Sequence, residues 1–182
     1  PVRAIPTRTP RRDPATATMT TSNEGNALMI GHDPNRTYRA AVIGAGSGGL
    51  TLAIGLAGLG HDVVLIEGGR VGGDCTNLGC IPSKALLHAG RSGNDDPLAS
   101  TRAKRDDLAR REHDEMTHDE RIHLVSGWAS LTASPRGPHV VQVDNGTATT
   151  FVRADHIVIA CGSRPVTIGI EGLAGDRVVT NE

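Results

Sequence analysis

The sequence predicts an α/β domain, a parallel sheet with helical crossovers and a small antiparallel β-meander. Three observations carry this. First, two short apolar runs, Arg39–Gly44 and Asp62–Glu67, flank a stretch of small and apolar residues at 48–60. Strand, helix and strand so closely spaced make a βαβ unit, whose crossover is right-handed. Second, Ile122–Ser126 and His156–Ala160 repeat the continuous apolar signature of strands buried on both faces. Third, Trp128–Ala133, Val140–Val143 and Thr149–Arg153 are short β-prone runs separated by Pro135-Arg-Gly-Pro138 and Asp144-Asn-Gly146. That turn chemistry suits a meander.

The helices follow from pattern and punctuation. Residues 48–60 read as a helix stopped by Gly60, and residues 80–90 as another. Residues 92–121 carry nine acidic and six basic side chains, which predicts a solvent-facing helix. Residues 1–36 are rich in Thr, Pro, Arg and Asn with little apolar periodicity and read as a disordered tail ahead of a domain at 37–182.

Composition narrows the function classes. The 182 residues are 37% hydrophobic and 21% charged, as in a soluble globular domain. A net charge of −1 disfavours a nucleic-acid binder. No apolar run reaches the roughly 18 residues of a membrane span. The Arg11–Arg12 pair lacks the apolar stretch of an export signal, and three cysteines are too few for a disulfide scaffold. A cytoplasmic, reducing location is the expectation. The chain begins with Pro1, which fits processing or a fragment of something longer.

Thirteen of the 23 glycines fall within residues 41–90. Such clustering marks backbone that passes close to something. Gly44-Ala45-Gly46-Ser47-Gly48-Gly49 satisfies G-x-G-x-x-G between the first strand and the first helix. In that pattern Gly44 allows the tight turn, Gly46 admits a pyrophosphate, and Gly49 lets helix and strand pack closely. Free N–H groups and the helix dipole then bind the anion. Glu67 ends the second strand 18 residues after Gly49, where a carboxylate accepts hydrogen bonds from a ribose 2′-hydroxyl. An acid there disfavours a 2′-phosphate. The competing account is a structural turn with a solvated Glu67.

The segment Gly72-Gly-Asp-Cys75-Thr-Asn-Leu-Gly79-Cys80-Ile-Pro82-Ser-Lys84 is the most informative. In a regular helix, positions five apart have Cα atoms roughly 8–9 Å from each other, beyond the disulfide limit of about 7 Å. A bridge therefore needs a distorted link, which Gly79 supplies. Pro82 suits a helix's first turn, so a helix should start near Cys80 and hold that sulfur at its positive end, where a thiolate is favoured. Cys75, in the preceding loop, is expected to be the more accessible sulfur. A zinc site, two unrelated thiols and a fixed structural disulfide compete. A redox-active pair fits the segment best.

Together these residues resemble the flavoprotein disulfide reductases of the pyridine nucleotide-disulfide oxidoreductase family. Gly-Gly-x-Cys-x-Asn-x-Gly-Cys-Ile-Pro-Ser-Lys resembles their active-site signature. Ile157-Val-Ile-Ala160-Cys161-Gly162-Ser-Arg-Pro165 resembles their second flavin segment, with Cys161 where Thr is usual. Gly-Cys-Ile-Pro-Ser-Lys-Ala-Leu-Leu looks most like dihydrolipoyl dehydrogenases. Gly-Gly-Asp-Cys and the closing Val-Thr-Asn-Glu182 look more like the mercuric-reductase branch.

The resemblance implies a Rossmann-like FAD-binding domain. Gly44, Gly46, Ser47, Gly48, Gly49, Glu67, Gly73, Asp74, Lys84, Ala160 and Gly162 would contact the cofactor. Cys80 would face the flavin, Cys75 would be the interchange sulfur, and Lys84 would lie near flavin N5. Electrons would pass between NAD(P)H, FAD, the Cys75–Cys80 pair and an external disulfide, dithiol or metal ion, with no resident metal. Full-length members are homodimers and continue into nicotinamide-nucleotide and dimerisation domains, so the chain resembles their N-terminal part. A module that binds FAD without turnover is the alternative, and a plain NAD-binding protein a third. His113, His118 and His123 read as solvated, Cys161 as a small buried residue, and Trp128 as core.

Overall fold

The computed structural model describes residues 33, 35–132, 138–164, 166 and 170. Six strands and four helices alternate as β1 (Thr37–Ile43), α1 (Ser47–Gly58), β2 (Val63–Glu67), α2 (Gly73–Asn77), α3 (Cys80–Arg91), α4 (Pro97–His118), β3 (Ile122–Ser126), β4 (Trp128–Leu131), β5 (His139–Asp144) and β6 (Thr149–Ile159). They form one sheet of order β3-β2-β1-β6-β5-β4. The first four strands in that order are parallel, and the last two add antiparallel. The expected α/β class, crossover unit and meander are all present.

Successive side chains of β2 from Val63 to Ile66 are all buried and join opposite faces of the sheet. Val63 and Leu65 join Ala40, Val42, Ile122 and Leu124 under α1 (Leu50, Ala53, Ala57) and α4 (Met116). Val64 and Ile66 join Tyr38, Ala41 and Val125 against Val141, Val143, Val152 and Ala154. A side chain buried as fully as Leu65 stabilises the fold by roughly 1.5–3 kcal/mol. Both faces are apolar, which is why the parallel strands read as unbroken hydrophobic runs.

The second cluster requires the sheet to roll. β3 and β4 lie at opposite ends of the strand order, yet only Gly127 separates them in the chain. Gly127 turns at φ 150° and donates its N–H to the Glu67 carbonyl at 2.8 Å. The meander is thereby carried back over the parallel strands, and Trp128 arrives beside the end of β2.

Local chemistry sets the element ends. Leu50, Ala53 and Ala57 give α1 one buried stripe, and Gly60, at φ 86°, donates to the Ala57 carbonyl at 2.8 Å to close it. Helix α4 starts later than the charge pattern suggests, because Asp96 caps it through Ala99 N at 2.9 Å with Pro97 in its first turn. Its outer face pairs Asp107 with Arg110 and Arg111.

Several expectations change. Thr149–Arg153 and His156–Ala160 are parts of one strand: β5 pairs with Thr149–Ala154 while β1 pairs along Arg153–Ile159. The charged Asp155 does not break it, because Arg39 meets it at the surface at 3.5 Å. Its second half is only partly covered, and Ile159 is exposed. Trp128 is not core but 67% exposed. His123 is buried, its ring 5.0 Å from that of Tyr38. Cys161 is exposed.

Within the expected tail, Arg36 pairs with Asp62, and the Tyr38 hydroxyl accepts from Asp33 N at 2.8 Å. Residues 1–32 and 34, residues 133–137 with most of the turn expected at Pro135–Pro138, Pro165 and the closing Val179–Glu182 lie outside the described residues.

Candidate active site

The C-terminal ends of β1, β2 and β6 gather the predicted site residues. Gly44 follows β1 at φ 103°, a conformation open mainly to glycine. A Cβ there would strike the Ala160 carbonyl and lie 3.0 Å from Cys161 Cα, so Ala160 and Cys161 rest directly on the turn. A Cβ on Gly49 would run into the Gly44 carbonyl oxygen. Gly44 and Gly49 are thus required by the packing of the turn itself. Gly46 and Gly48 differ. Gly46 caps α1 without a side-chain hydrogen bond, and a Cβ on it would meet only Gly73 Cα, at 3.6 Å. A Cβ on Gly48 would meet nothing. The N-terminus of α1 is left open to a ligand, as an anion-binding turn requires.

Glu67 is tied more firmly than the sequence suggests. One carboxylate oxygen accepts from Ala45 N and the other from Gly69 N, both at 2.7 Å. It therefore fastens the glycine turn to the loop after β2. Each carboxylate oxygen retains a further lone pair for a hydroxyl. Beside it, a cleft of about 300 Å³ is lined by Glu67, Arg70, Arg110, His113 and Ser126 among others.

The cysteine segment packs onto the same turn. Gly72 N donates to the Ala45 carbonyl at 2.8 Å, and a Cβ on Gly73 would sit 2.7 Å from Gly46 Cα. Asn77 holds the loop through Val71 O at 3.0 Å and Gly73 O at 2.9 Å. The chain reverses at Gly79, and α3 starts at Cys80, as expected. Asp74 and Lys84 are exposed, Lys84 one helical turn after Cys80.

All three cysteines are free thiols here. Cys75 and Cys80 are nonetheless within hydrogen-bonding contact, and that contact, with burial second, pushes the Cys75 thiol above its ordinary range. The Ser47 hydroxyl, also in contact with Cys75, acts the other way. The order of access is the reverse of expectation, with Cys80 exposed and Cys75 half-buried. The physical reason is that α2 lies down on the glycine turn and covers Cys75, whereas Cys80 opens a new helix at the surface.

This gives a test of the pair. In the reduced chain Cys80 should be alkylated before Cys75. Because the Cys75 thiol is raised, its thiolate, and so its alkylation rate, should grow only as pH climbs into the alkaline range. Cys80→Ala removes the largest cause and should speed Cys75 alkylation at neutral pH. After oxidation, mass spectrometry should find a Cys75–Cys80 bridge that a dithiol reduces. A bridge involving Cys161 would reject the assignment.

Two contacts here escape sequence reasoning. Thr76 Oγ1 donates to Glu112 on α4 at 3.1 Å, and Arg70 pairs with Asp106 on the same helix at 2.9 Å. Both pin the segment leading into and through α2 to a helix that reads in the sequence as a plain solvated face. The partners are 36 residues apart, so no local pattern announces them.

Residues 38–181 match the family described as pyridine nucleotide-disulphide oxidoreductase. The chain belongs to this family. It is 31% identical over 176 residues to dihydrolipoyl dehydrogenase 3 of Haloarcula marismortui, covering 85% of this chain and 36% of that protein. It is 33% identical over 163 residues to mercuric reductase of Streptomyces lividans, covering 75% and 32%. Among solved structures, the Cu(II) complex of the HOCl-induced flavoprotein disulfide reductase RclA from Escherichia coli superposes with a TM-score of 0.68 at 28% identity, over 76% of this chain and 31% of that one. The chain spans about a third of the length of these relatives. The family uses FAD and NAD(P)H.

Proposed function

We propose that this chain is the FAD-binding, dithiol-bearing part of a pyridine nucleotide-disulfide oxidoreductase of the dihydrolipoyl dehydrogenase or mercuric reductase type. The observation that carries the reading is the direct packing of the cysteine segment on the glycine turn, Gly73 against Gly46 and Cys75 against Ser47. It places a dithiol beside an open helix N-terminus with a carboxylate at its flank.

The residues fit the cofactor. Gly46, Ser47 and Gly48 form the open cradle for a pyrophosphate, on a turn whose shape depends on Gly44 and Gly49. Glu67 accepts from the adenosine ribose. Gly73, Asp74, Lys84, Ala160 and Gly162 border the remaining length. FAD, when bound, supplies two-electron transfer between a nicotinamide and the sulfurs. The chain's own part is thiol–disulfide exchange: a thiolate of the reduced pair attacks an external disulfide and expels one thiol. The second cysteine then attacks the mixed disulfide, expels the other thiol and closes the Cys75–Cys80 bridge. We assign Cys75 to the exchange and Cys80 to the flavin side, where its exposure leaves a face for a planar group. Disulfides, dithiols or metal ions are the proposed substrates of the whole protein, NAD(P)H its co-substrate, a homodimer its assembly and the cytoplasm its location.

Purified protein should carry flavin absorbance or acquire it with added FAD, and a chain that takes up no FAD would reject the reading. Glu67→Ala should weaken FAD binding by roughly 1.5–3 kcal/mol, the worth of hydrogen bonds to a charged group. Glu67 also holds Ala45 and Gly69, so melting the ligand-free variant separates turn loosening from lost ribose contacts. Unchanged FAD affinity would remove Glu67 from the site.

A further inference from the structure

We propose that the Trp128 indole is the stacking platform for the adenine ring of the dinucleotide bound at the glycine turn. The inference deepens the proposed function and rests on that reading. Trp128 is the one tryptophan of the chain. Among the described aromatic residues it alone is exposed, Tyr38 being fully buried and Phe151 partly so.

The indole is held in place, not loose at the surface. A Cβ built on Gly68 would meet its Cδ2, Cε2 and Cε3 at 2.8, 2.9 and 3.1 Å, so part of the ring lies against the Gly68 backbone. With 67% of the residue still accessible, much of the ring is open to solvent. Any larger residue at 68 would displace it, and glycine there makes the room. The backbone is fixed just as closely, since Gly127 N donates to the Glu67 carbonyl at 2.8 Å.

Position turns a fixed, open indole into a base site. Gly68 directly follows Glu67, and Glu67 holds Ala45 of the glycine turn at 2.7 Å. A dinucleotide running from the α1 N-terminus to a ribose at Glu67 brings its base to the end of β2, where Trp128 lies. Leaving a large apolar ring this exposed costs stability that burial would have supplied. A planar, electron-rich surface beside a ribose-binding carboxylate suits a purine face.

Because Trp128 is the sole tryptophan, its fluorescence reports the contact without enzymatic activity. ADP and AMP should each quench it saturably in the full 182-residue chain, whereas ribose 5-phosphate, which lacks the base, should not at matched concentrations. By calorimetry, Trp128→Ala should weaken ADP binding roughly 5- to 150-fold, the range that base–aromatic stacking spans. Trp128→Phe, which keeps a ring face, should lose less. Unchanged ADP affinity in Trp128→Ala, or equal quenching by ribose 5-phosphate and ADP, overturns the proposal while leaving a chain that binds FAD consistent with the proposed function. A chain that binds neither ADP nor FAD overturns both.

Discussion

Gly46→Val should leave the fold standing and abolish dinucleotide binding. The structure separates this glycine from its neighbours. At Gly49 the added Cβ would occupy the Gly44 carbonyl oxygen, and at Gly44 it would strike Ala160 at a φ that valine rarely adopts. Those two changes overpack a turn with no slack, at about 3 kcal/mol or more, and would confuse misfolding with lost binding. At Gly46 the backbone is extended, φ −82° and ψ −173°, so a β-branched residue is tolerated. Its Cβ would meet Gly73 Cα at an ordinary 3.6 Å. The valine methyls then fill the approach to the α1 N-terminus, where a pyrophosphate has to touch backbone N–H groups. The expected outcome is a melting temperature within a few degrees of the parent and no measurable FAD uptake. A variant that folds and still retains flavin would show that the anion lies elsewhere.

The difference among the glycines also shows what the sequence could disclose. The parallel strands, α1 and the meander were legible because their chemistry is local: apolar runs, Gly60 past a helix end, Asp144-Asn-Gly146 in a turn. The candidate site was legible for the same reason, as the G-x-G-x-x-G turn and the cysteine segment are each contiguous. What escaped depends on the roll of the sheet. Trp128 opens a β-prone run and looks like core. Its exposure follows from Gly127 sending β4 back past the end of β2, a tertiary event without a local signature. His123 is the reverse case, a polar residue buried with its ring against that of Tyr38. The continuity of β6 escaped because its two ends read as separate runs, 149–153 and 156–160, whereas β5 and β1 pair with successive parts of one strand.

The purified 182-residue polypeptide should show no sustained NAD(P)H-dependent disulfide reduction, although its dithiol should still react. The argument is one of faces. The proposed turnover needs hydride delivered to the flavin and sulfur exchange beside it. Within these residues the sulfur side is well supplied: Cys75 and Cys80 in contact, Ser47 against Cys75, and α2 held to α4 through Thr76 and Glu112. Among the described residues the nicotinamide side has no counterpart. The sequence holds one strand–glycine turn–helix unit of the G-x-G-x-x-G type, and the proposed adenosine and pyrophosphate contacts occupy it. The relatives are about three times as long. Of the eight histidines, the one on β3 is buried against Tyr38, and His113 and His118 lie on α4 outside the cysteine segment. No histidine within the cysteine segment is available as a general acid toward a leaving thiol. Reduced chain mixed with an external disulfide should therefore release two thiols once per Cys75–Cys80 pair and then stop. Loss of NADH or NADPH absorbance should not exceed that with free flavin. Fusing residues 38–181 to the remaining two thirds of a related full-length enzyme should restore turnover, and Cys80→Ser should abolish it again. Sustained NAD(P)H oxidation by the 182-residue polypeptide, dependent on a disulfide or Hg²⁺ and lost in Cys80→Ser, would place the nicotinamide side within these residues and overturn the argument.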